Sequence, residues 1–218
     1  MGFDKIFAAL HGKPVLYWSI AGFQACADIH EIIVVTRAEK VDEVKKLVAV
    51  EKLTKVTAVV EGGAERHLSV WNGLRAIHAE GSQFVAIHDA ARPLITPKLI
   101  SACLALARKN GSACCASPIP DTVKRASHEN LVTEDVERQN LWAMQTPQIF
   151  SSSLIMQAYA SLMARNELVT DEVSAIQKIG KRVALLENDD YNFKITFPRD
   201  LPLAEQVIDI RNGQEKKH

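Results

Sequence analysis

Short apolar runs alternate with amphipathic stretches along most of this chain, and that rhythm restricts the fold more than any other feature. "EIIVVT" (Glu31–Thr36), "VTAVVE" (Val56–Glu61), Phe84–His88 and "ACCASPI" (Ala113–Ile119) are too short for helices and read as buried strands. Between them lie stretches with helical spacing: Pro14–Cys26, with Pro14 suited to a first turn, the Lys- and Glu-rich Ala38–Val50, then Ala64–Ala79, and Pro97–Asn110 closed by Gly111. A βαβα succession predicts an α/β fold, mainly a parallel sheet with helices on both faces. Further on, helices are expected at Ser151–Asn166 and around Asp171–Ile179, strands at Arg182–Glu187 and Asn192–Thr196, and a last helix from Pro198 to about Arg211.

The rhythm fails between Pro120 and Gln148, where the sequence is polar, carries Val/Thr alternations and contains a "SHEN" turn. That segment reads as a β-hairpin arm, 120–148, projecting from a single domain of 218 residues. A lone hairpin is marginal in water, so the arm is expected to pack against a partner chain.

Composition narrows the function classes. Lys+Arg and Asp+Glu both number 26, which argues against a broad nucleic-acid or membrane surface and leaves room for a local anion pocket. No apolar run approaches the ~20 residues of a membrane span, and no signal peptide opens the chain. Cys26, Cys103, Cys114 and Cys115 sit in apolar stretches without metal-ligand spacing. They read as reduced core residues of a cytoplasmic protein.

Two loops leave the carboxyl ends of expected strands, where open α/β sheets bind ligands. "HDAARPLITP" (His88–Pro97) sets Asp89 and Arg92 around two small residues; it reads equally as a ligand loop or as an Asp–Arg pair closing a turn. "EGGAERHLSVWNGL" (Glu61–Leu74) places Gly62 and Gly63 before a helix whose opening turns carry Arg66 and Ser69 on one side. Its alternatives are an anion-binding helix start and a glycine turn with a solvated arginine. Lys194, between Phe193 and Ile195, either snorkels at a sheet edge or meets a phosphate as a point charge. "TDEVSA" (Thr170–Ala175) fits a helix N-cap with acids in the first turn.

Taken together, "GGAERHLSVWNGL", "HDAARPL", "PDTVKR", "ER" followed by "LWAMQTPQIF", "TDE" and "NFKITFPRDL" resemble the 2-C-methyl-D-erythritol 4-phosphate cytidylyltransferases of the non-mevalonate isoprenoid pathway. The motifs come in that family's order and spacing from Met1 to about Gln206. The resemblance implies a Rossmann-like nucleotidyltransferase domain whose β-arm swaps across a homodimer, with CTP, a sugar-alcohol phosphate and Mg²⁺ or another divalent cation. It implies that Lys5 touches the CTP phosphates and that Lys194 sits beside the α-phosphate. Gly62, Gly63, Arg66 and Ser69 would hold the cytosine and ribose. Asp89 would meet the sugar-phosphate hydroxyls or the surroundings of the metal, and Ala90 and Arg92 would line the acceptor's side. Thr122, Arg138, Thr146 and Thr170 would grip the methylerythritol phosphate, with Thr122 and Arg138 coming from the partner's arm. The implied reaction is in-line attack of a phosphate oxygen on the α-phosphorus of CTP, with pyrophosphate leaving and no Ser or Cys nucleophile.

The chain departs from the family pattern at its start. Members open with a central strand and a loop of the form AAGxGxRMG, whereas this sequence begins "MGFDKIF", with Asp4 where proline is usual. Either Met1 is an internal methionine of a longer chain, the reading we prefer, or the protein is catalytically crippled. A ribitol 5-phosphate cytidylyltransferase and a non-catalytic dimeric nucleotide-binding protein are the alternative functions.

Overall fold

The computed structural model describes residues 4–77 and 83–215. Met1 and Gly2, the last two positions of the expected helix Ala64–Ala79 and the end of the tail lie outside them. The described chain begins with a hairpin, β1 (Ala9–Leu10) and β2 (Lys13–Pro14), which turns through His11 and Gly12 at φ of 47° and 72°. There follow α1 (Val15–Ala25), β3 (Ile32–Thr36), α2 (Val41–Val50), β4 (Val56–Glu61), α3 (Arg66–Arg75), β5 (Phe84–Ile87), α4 (Pro97–Asn110) and β6 (Ser112–Pro118). An exposed hairpin, β7 (Val123–Ala126) and β8 (Val132–Val136), leads to β9 (Trp142–Ser151), α5 (Ser152–Arg165), α6 (Glu172–Lys178), β10 (Ala184–Glu187) and α7 (Asp200–Glu215).

Helix boundaries follow local chemistry. At the start of α4 the Thr96 hydroxyl accepts from Leu99 N–H at 3.2 Å, Pro97 takes the first turn, and Gly111 ends the helix at φ 80°. Those are the cap, the pre-set φ and the left-handed stop that the sequence signals.

The sheet order is β10-β6-β9-β5, with β10 parallel to β6 and β9 antiparallel to both β6 and β5. Period-two alternation covers both faces. Phe84, Ala86 and Ile149 pack with Leu99, Cys103 and Leu104 of α4, whereas Val85, Ile87 and Phe150 pack with Ile155, Tyr159 and Leu162 of α5. The sequence places residues 142–148 in the arm; they instead pair with β6, from Pro118↔Trp142 to Cys114↔Gln148. The strand pair that projects is therefore β7–β8 alone. The expected strand Asn192–Thr196 has no ladder. Ile195 N–H donates to Ala91 O of the loop after β5 at 2.8 Å, so this segment is fastened to a loop.

β3 and β4 form a separate parallel pair. Between β3 and β5 lies a cavity of about 860 Å³. Consecutive residues, Ile32–Val35 and Phe84–Ile87, line it, so the two strands present their edges to it, since a face would contribute only alternate residues. α1 and α3 close it with residues at helical spacing, Leu16, Ser19, Ile20 and Phe23 on one side and Ser69, Val70 and Gly73 on the other.

Candidate active site

The loop leaving β5 closes on itself, with Arg92 N–H donating to Asp89 O at 2.9 Å. This turn aims the Asp89 carboxylate at cations from three parts of the chain. Lys194 Nζ is 3.0 Å from Oδ2, Arg92 Nε is 3.4 Å from the same oxygen, and Arg66 Nη2 is 3.9 Å from Oδ1. Burial pushes the Asp89 pKa up, but Lys194, then Arg92 and Arg66, more than offset it and hold the carboxyl below its ordinary value. With Glu172 beside Arg66, three cations face two carboxylates and an excess of positive charge remains. Such a site suits a polyanion.

The three cations differ in what they have left to give. The Arg66 fork is engaged by Glu172, Nη1 to Oε1 at 2.6 Å and Nη2 to Oε2 at 2.9 Å. Glu172 has no solvent exposure and also accepts from Tyr159 O–H at 3.0 Å. Although burial works against its charge, the pair holds the Arg66 guanidinium protonated well above the usual arginine range. Arg92 donates to Asn192 O at 2.8 Å and Met144 O at 3.4 Å. Its side chain is 11% exposed against 41% for Lys194 and 39% for Arg66. Arg92 is a strut; Lys194 and the outer edge of Arg66 are the accessible charges.

The glycine turn stands next to this cluster. Gly62 N–H donates to Thr36 O at 2.7 Å and Gly63 N–H to Ser69 Oγ at 3.1 Å. A Cβ on Gly62 would lie 2.8 Å from Ser69 Oγ, and one on Gly63 would lie 2.3 Å from Leu68 Cβ. These glycines are required by close packing of the turn onto α3, not by a left-handed backbone. Ala90 contributes its carbonyl, which accepts from Ser19 Oγ at 2.7 Å.

Arg66, Asp89, Arg92 and Lys194 thus meet, with Thr146 against the same loop through Asp89 N–H at 3.0 Å. Other expected site residues stand apart. Lys5 lies on the turn from Asp4 to Phe7, which Arg37, just after β3, holds through Asp4 at 2.6 Å. Among the described residues no ion pair joins Lys5 to the Asp89 group. Thr122 and Arg138 flank the projecting hairpin and are exposed, and Arg138 donates to Pro120 O across its base. Thr170 is exposed and touches Ser174 Oγ at 3.4 Å. Its neighbour Asp171 caps α6, accepting from Ser174 N–H at 2.9 Å.

The sequence reading overlooked Glu172, His88 and Asn192. Glu172 stood in an N-cap pattern, whose acids are ordinarily solvated. Asn192 donates to Thr146 O at 2.8 Å and Gln145 Oε1 at 3.1 Å. All three lie inside or beside the quoted motifs, which was the available signal.

Among the described residues no group of three or more His, Cys, Asp or Glu is arranged to hold a metal. The four cysteines are free and buried, and burial pushes the Cys114 thiol well up, away from nucleophilic use. Among the described residues no helix is long and apolar enough to cross a membrane.

A protein-family model described as 2-C-methyl-D-erythritol 4-phosphate cytidylyltransferase matches residues 1–210. A curated protein of that name from Caldanaerobacter subterraneus subsp. tengcongensis is 39% identical over 207 residues, which is 94% of this chain and 90% of the relative. The crystal structure of 2-C-methyl-D-erythritol 4-phosphate cytidylyltransferase from Thermus thermophilus superposes with a TM-score of 0.79 at 31% identity, over 94% of each chain. That of 4-diphosphocytidyl-2C-methyl-D-erythritol synthase from Anaerococcus prevotii gives 0.82 at 28%, over 92% of this chain and 88% of the other.

Proposed function

The chain belongs to the 2-C-methyl-D-erythritol 4-phosphate cytidylyltransferase family, and on that footing we propose how its residues share the work of the reaction. The enzyme joins CTP to 2-C-methyl-D-erythritol 4-phosphate and releases pyrophosphate, a step of isoprenoid precursor synthesis. The ribitol phosphate alternative is not favoured.

The observation that carries the assignment of roles is the half-exposed Lys194 ammonium, held 3.0 Å from Asp89 at the carboxyl end of β5. Two polyanions must meet for the transfer, so positioning and charge neutralisation supply most of the catalysis. Lys194 offers its charge to the α-phosphate and the incoming phosphate oxygen, and Asp89 aims it while meeting the acceptor's hydroxyls. Arg66, Ser69 and the Gly62–Gly63 turn hold the nucleoside, with Lys5 toward the triphosphate. A sugar phosphate is already largely ionised near neutral pH, so its oxygen needs no base to attack.

Mg²⁺ or another divalent cation would accompany CTP at this site. Asp89 stands at this edge, but its three cationic neighbours make it a weak metal ligand by itself. The chemistry such an ion would supply is neutralisation of phosphate charge.

We further propose a homodimer in which the β7–β8 arm brings Arg138 and Thr122 to the acceptor of the neighbouring site, in the cytoplasm and with no nucleic-acid or membrane partner. Leu131 and Val132, 62% and 68% exposed at the arm's tip, support a surface meant for another chain. Mixed dimers test it: pairing an Arg138→Ala chain with a Lys194→Ala chain regenerates one intact site if Arg138 acts in trans. Activity near half of wild type per dimer is expected in a pyrophosphate-release assay, and no rescue refutes the swapped arm. Turnover with ribitol 5-phosphate above that with methylerythritol phosphate refutes the choice of acceptor.

A further inference from the structure

His88 precedes Asp89 directly and is bonded at both ring nitrogens. Nε2 lies 3.1 Å from Arg92 O, and Nδ1 lies 2.9 Å from Thr146 Oγ1. The direction of each bond is forced. A carbonyl only accepts, so Nε2 carries a proton. In a neutral ring Nδ1 is then bare and accepts from the Thr146 hydroxyl. That oxygen in turn accepts from Asp89 N–H at 3.0 Å, because a backbone N–H only donates. The three bonds form one consistent relay from Asp89 N–H through Thr146 and His88 to Arg92 O.

We propose that His88 is a positioning residue of the active site: as a neutral, Nε2-protonated imidazole it fixes the Thr146 hydroxyl and both ends of the loop that presents Asp89. The remaining carbonyls of that loop are held as well. Asp89 O accepts from Arg92 N–H at 2.9 Å, Ala90 O from Ser19 Oγ at 2.7 Å and Ala91 O from Ile195 N–H at 2.8 Å. His88 supplies the partner for the fourth carbonyl, and Thr146 the partner for the first amide. The loop is thereby pinned to α1, β9 and the Lys194 segment at once, and the Asp89–Lys194 pair inherits that rigidity.

This inference also revises Thr146, which the family resemblance makes a ligand of the sugar phosphate. The Thr146 proton is committed to the imidazole and one of its two oxygen lone pairs to Asp89 N–H, and the residue is only 3% exposed. Phosphate oxygens accept and do not donate, so this hydroxyl has nothing to offer them. On this proposal Thr146 holds the loop and donates no hydrogen bond to the phosphate, while its second lone pair stays able to accept from a hydroxyl of the acceptor.

The groups around the ring agree with a neutral state. Phe23 of α1 packs on it with centroids 5.0 Å apart, and Thr146 of β9 is uncharged. Burial outweighs the bond to Arg92 O and the pull of Asp89, with the Arg92 charge adding a smaller push in the same direction as burial, and lowers the pKa from 6.5 to about 4.

Nitrogen-15 NMR of the histidine-labelled protein reads the tautomer without any need for turnover. At pH 7, His88 is expected as the Nε2–H tautomer with a hydrogen-bonded Nδ1. In Thr146→Val the tautomer should persist while the Nδ1 resonance moves to that of a free nitrogen. An Nδ1–H tautomer, or an imidazolium at pH 7, overturns the proposal. The kinetic arm rests on the activity assigned above: Thr146→Val should lower kcat roughly tenfold or more, the scale of a displaced catalytic loop. The KM for CTP should stay within about twofold, and Thr146→Ser should restore kcat. Unchanged kcat in Thr146→Val overturns the positioning role. An inactive wild-type chain would refute the activity and leave the NMR result to decide.

Discussion

Truncating either partner of the Arg66–Glu172 pair has unequal consequences, and the inequality can be worked from exposure. Arg66→Met leaves Glu172 with no solvent exposure and only the Tyr159 hydroxyl for company. Stranding one member of a buried pair costs about 3–5 kcal/mol. The carboxyl can escape by taking up a proton, which at pH 7 costs at most about 3.7 kcal/mol against an ordinary glutamate value near 4.3. The expected loss is therefore about 3–4 kcal/mol at pH 7. For a chain of 218 residues that is a fall in Tm of roughly 6–16 °C. Glu172→Gln strands an arginine whose side chain is 39% exposed, so water takes over part of its solvation and about 1–2 kcal/mol is expected after that discount. The penalty in Arg66→Met has a sign in pH. The stranded carboxyl would bind its proton more tightly folded than unfolded, so the loss shrinks as pH falls, to about 1 kcal/mol by pH 5. Urea denaturation at pH 7 and pH 5 for both variants and for Arg66→Met/Glu172→Gln is the assay. The double variant should be more stable than Arg66→Met alone at pH 7, because it carries no buried charge. If Arg66→Met proves no worse than Glu172→Gln at pH 7, or its penalty is the same at both pH values, the buried-carboxylate argument is wrong.

Three further outcomes are expected. His88, with its folded pKa lowered to about 4 from 6.5, contributes stability that is fully present above pH 6.5 and lost as pH falls toward 4. The loss is at most about 3 kcal/mol, and less as far as water in the cavity reaches the ring; denaturant midpoints that stay flat from pH 7 to 4.5, or a His88→Gln variant with the same acid slope, would contradict it. Gly63→Ala drives a Cβ to within 2.3 Å of Leu68 Cβ and should cost about 1–3 kcal/mol, read as a lower Tm, whereas Gly213→Ala, with open space around its Cβ, should leave the Tm within about 1 °C. Lys194→Ala should reduce pyrophosphate release by roughly a hundredfold or more with an unchanged far-ultraviolet spectrum, and an unchanged rate would make Lys194 a snorkelling edge residue.

Elements whose signals are local were legible in the amino-acid order alone. β3, β4, β5 and β6 stand within a residue or two of the apolar runs, since a buried strand announces itself by composition and length. The cap at Thr96, the proline at 97 and the glycine at 111 marked both ends of α4, because capping is chemistry between residues a few positions apart. The site loops were legible for the same reason: a charged pair or a double glycine directly after an apolar run is unusual within a single short window.

Whatever depends on residues far apart in the chain emerged only in three dimensions. β9 was hidden because "WAMQTPQIF" lacks clean alternation. Both its faces and both its edges are occupied, so its pattern reflects four different neighbours. Lys194 sits on a segment with strand-like composition, but the backbone of Ile195 beside it bonds to Ala91, in a loop far back in the chain. Glu172 looks like any acid in a first turn until α3 swings Arg66 onto it across 106 positions. The bonds that Arg92 and Thr146 make were illegible for a related reason. A sequence shows which polar groups a side chain carries, whereas only the fold shows which of them are already bonded and which remain free for a ligand.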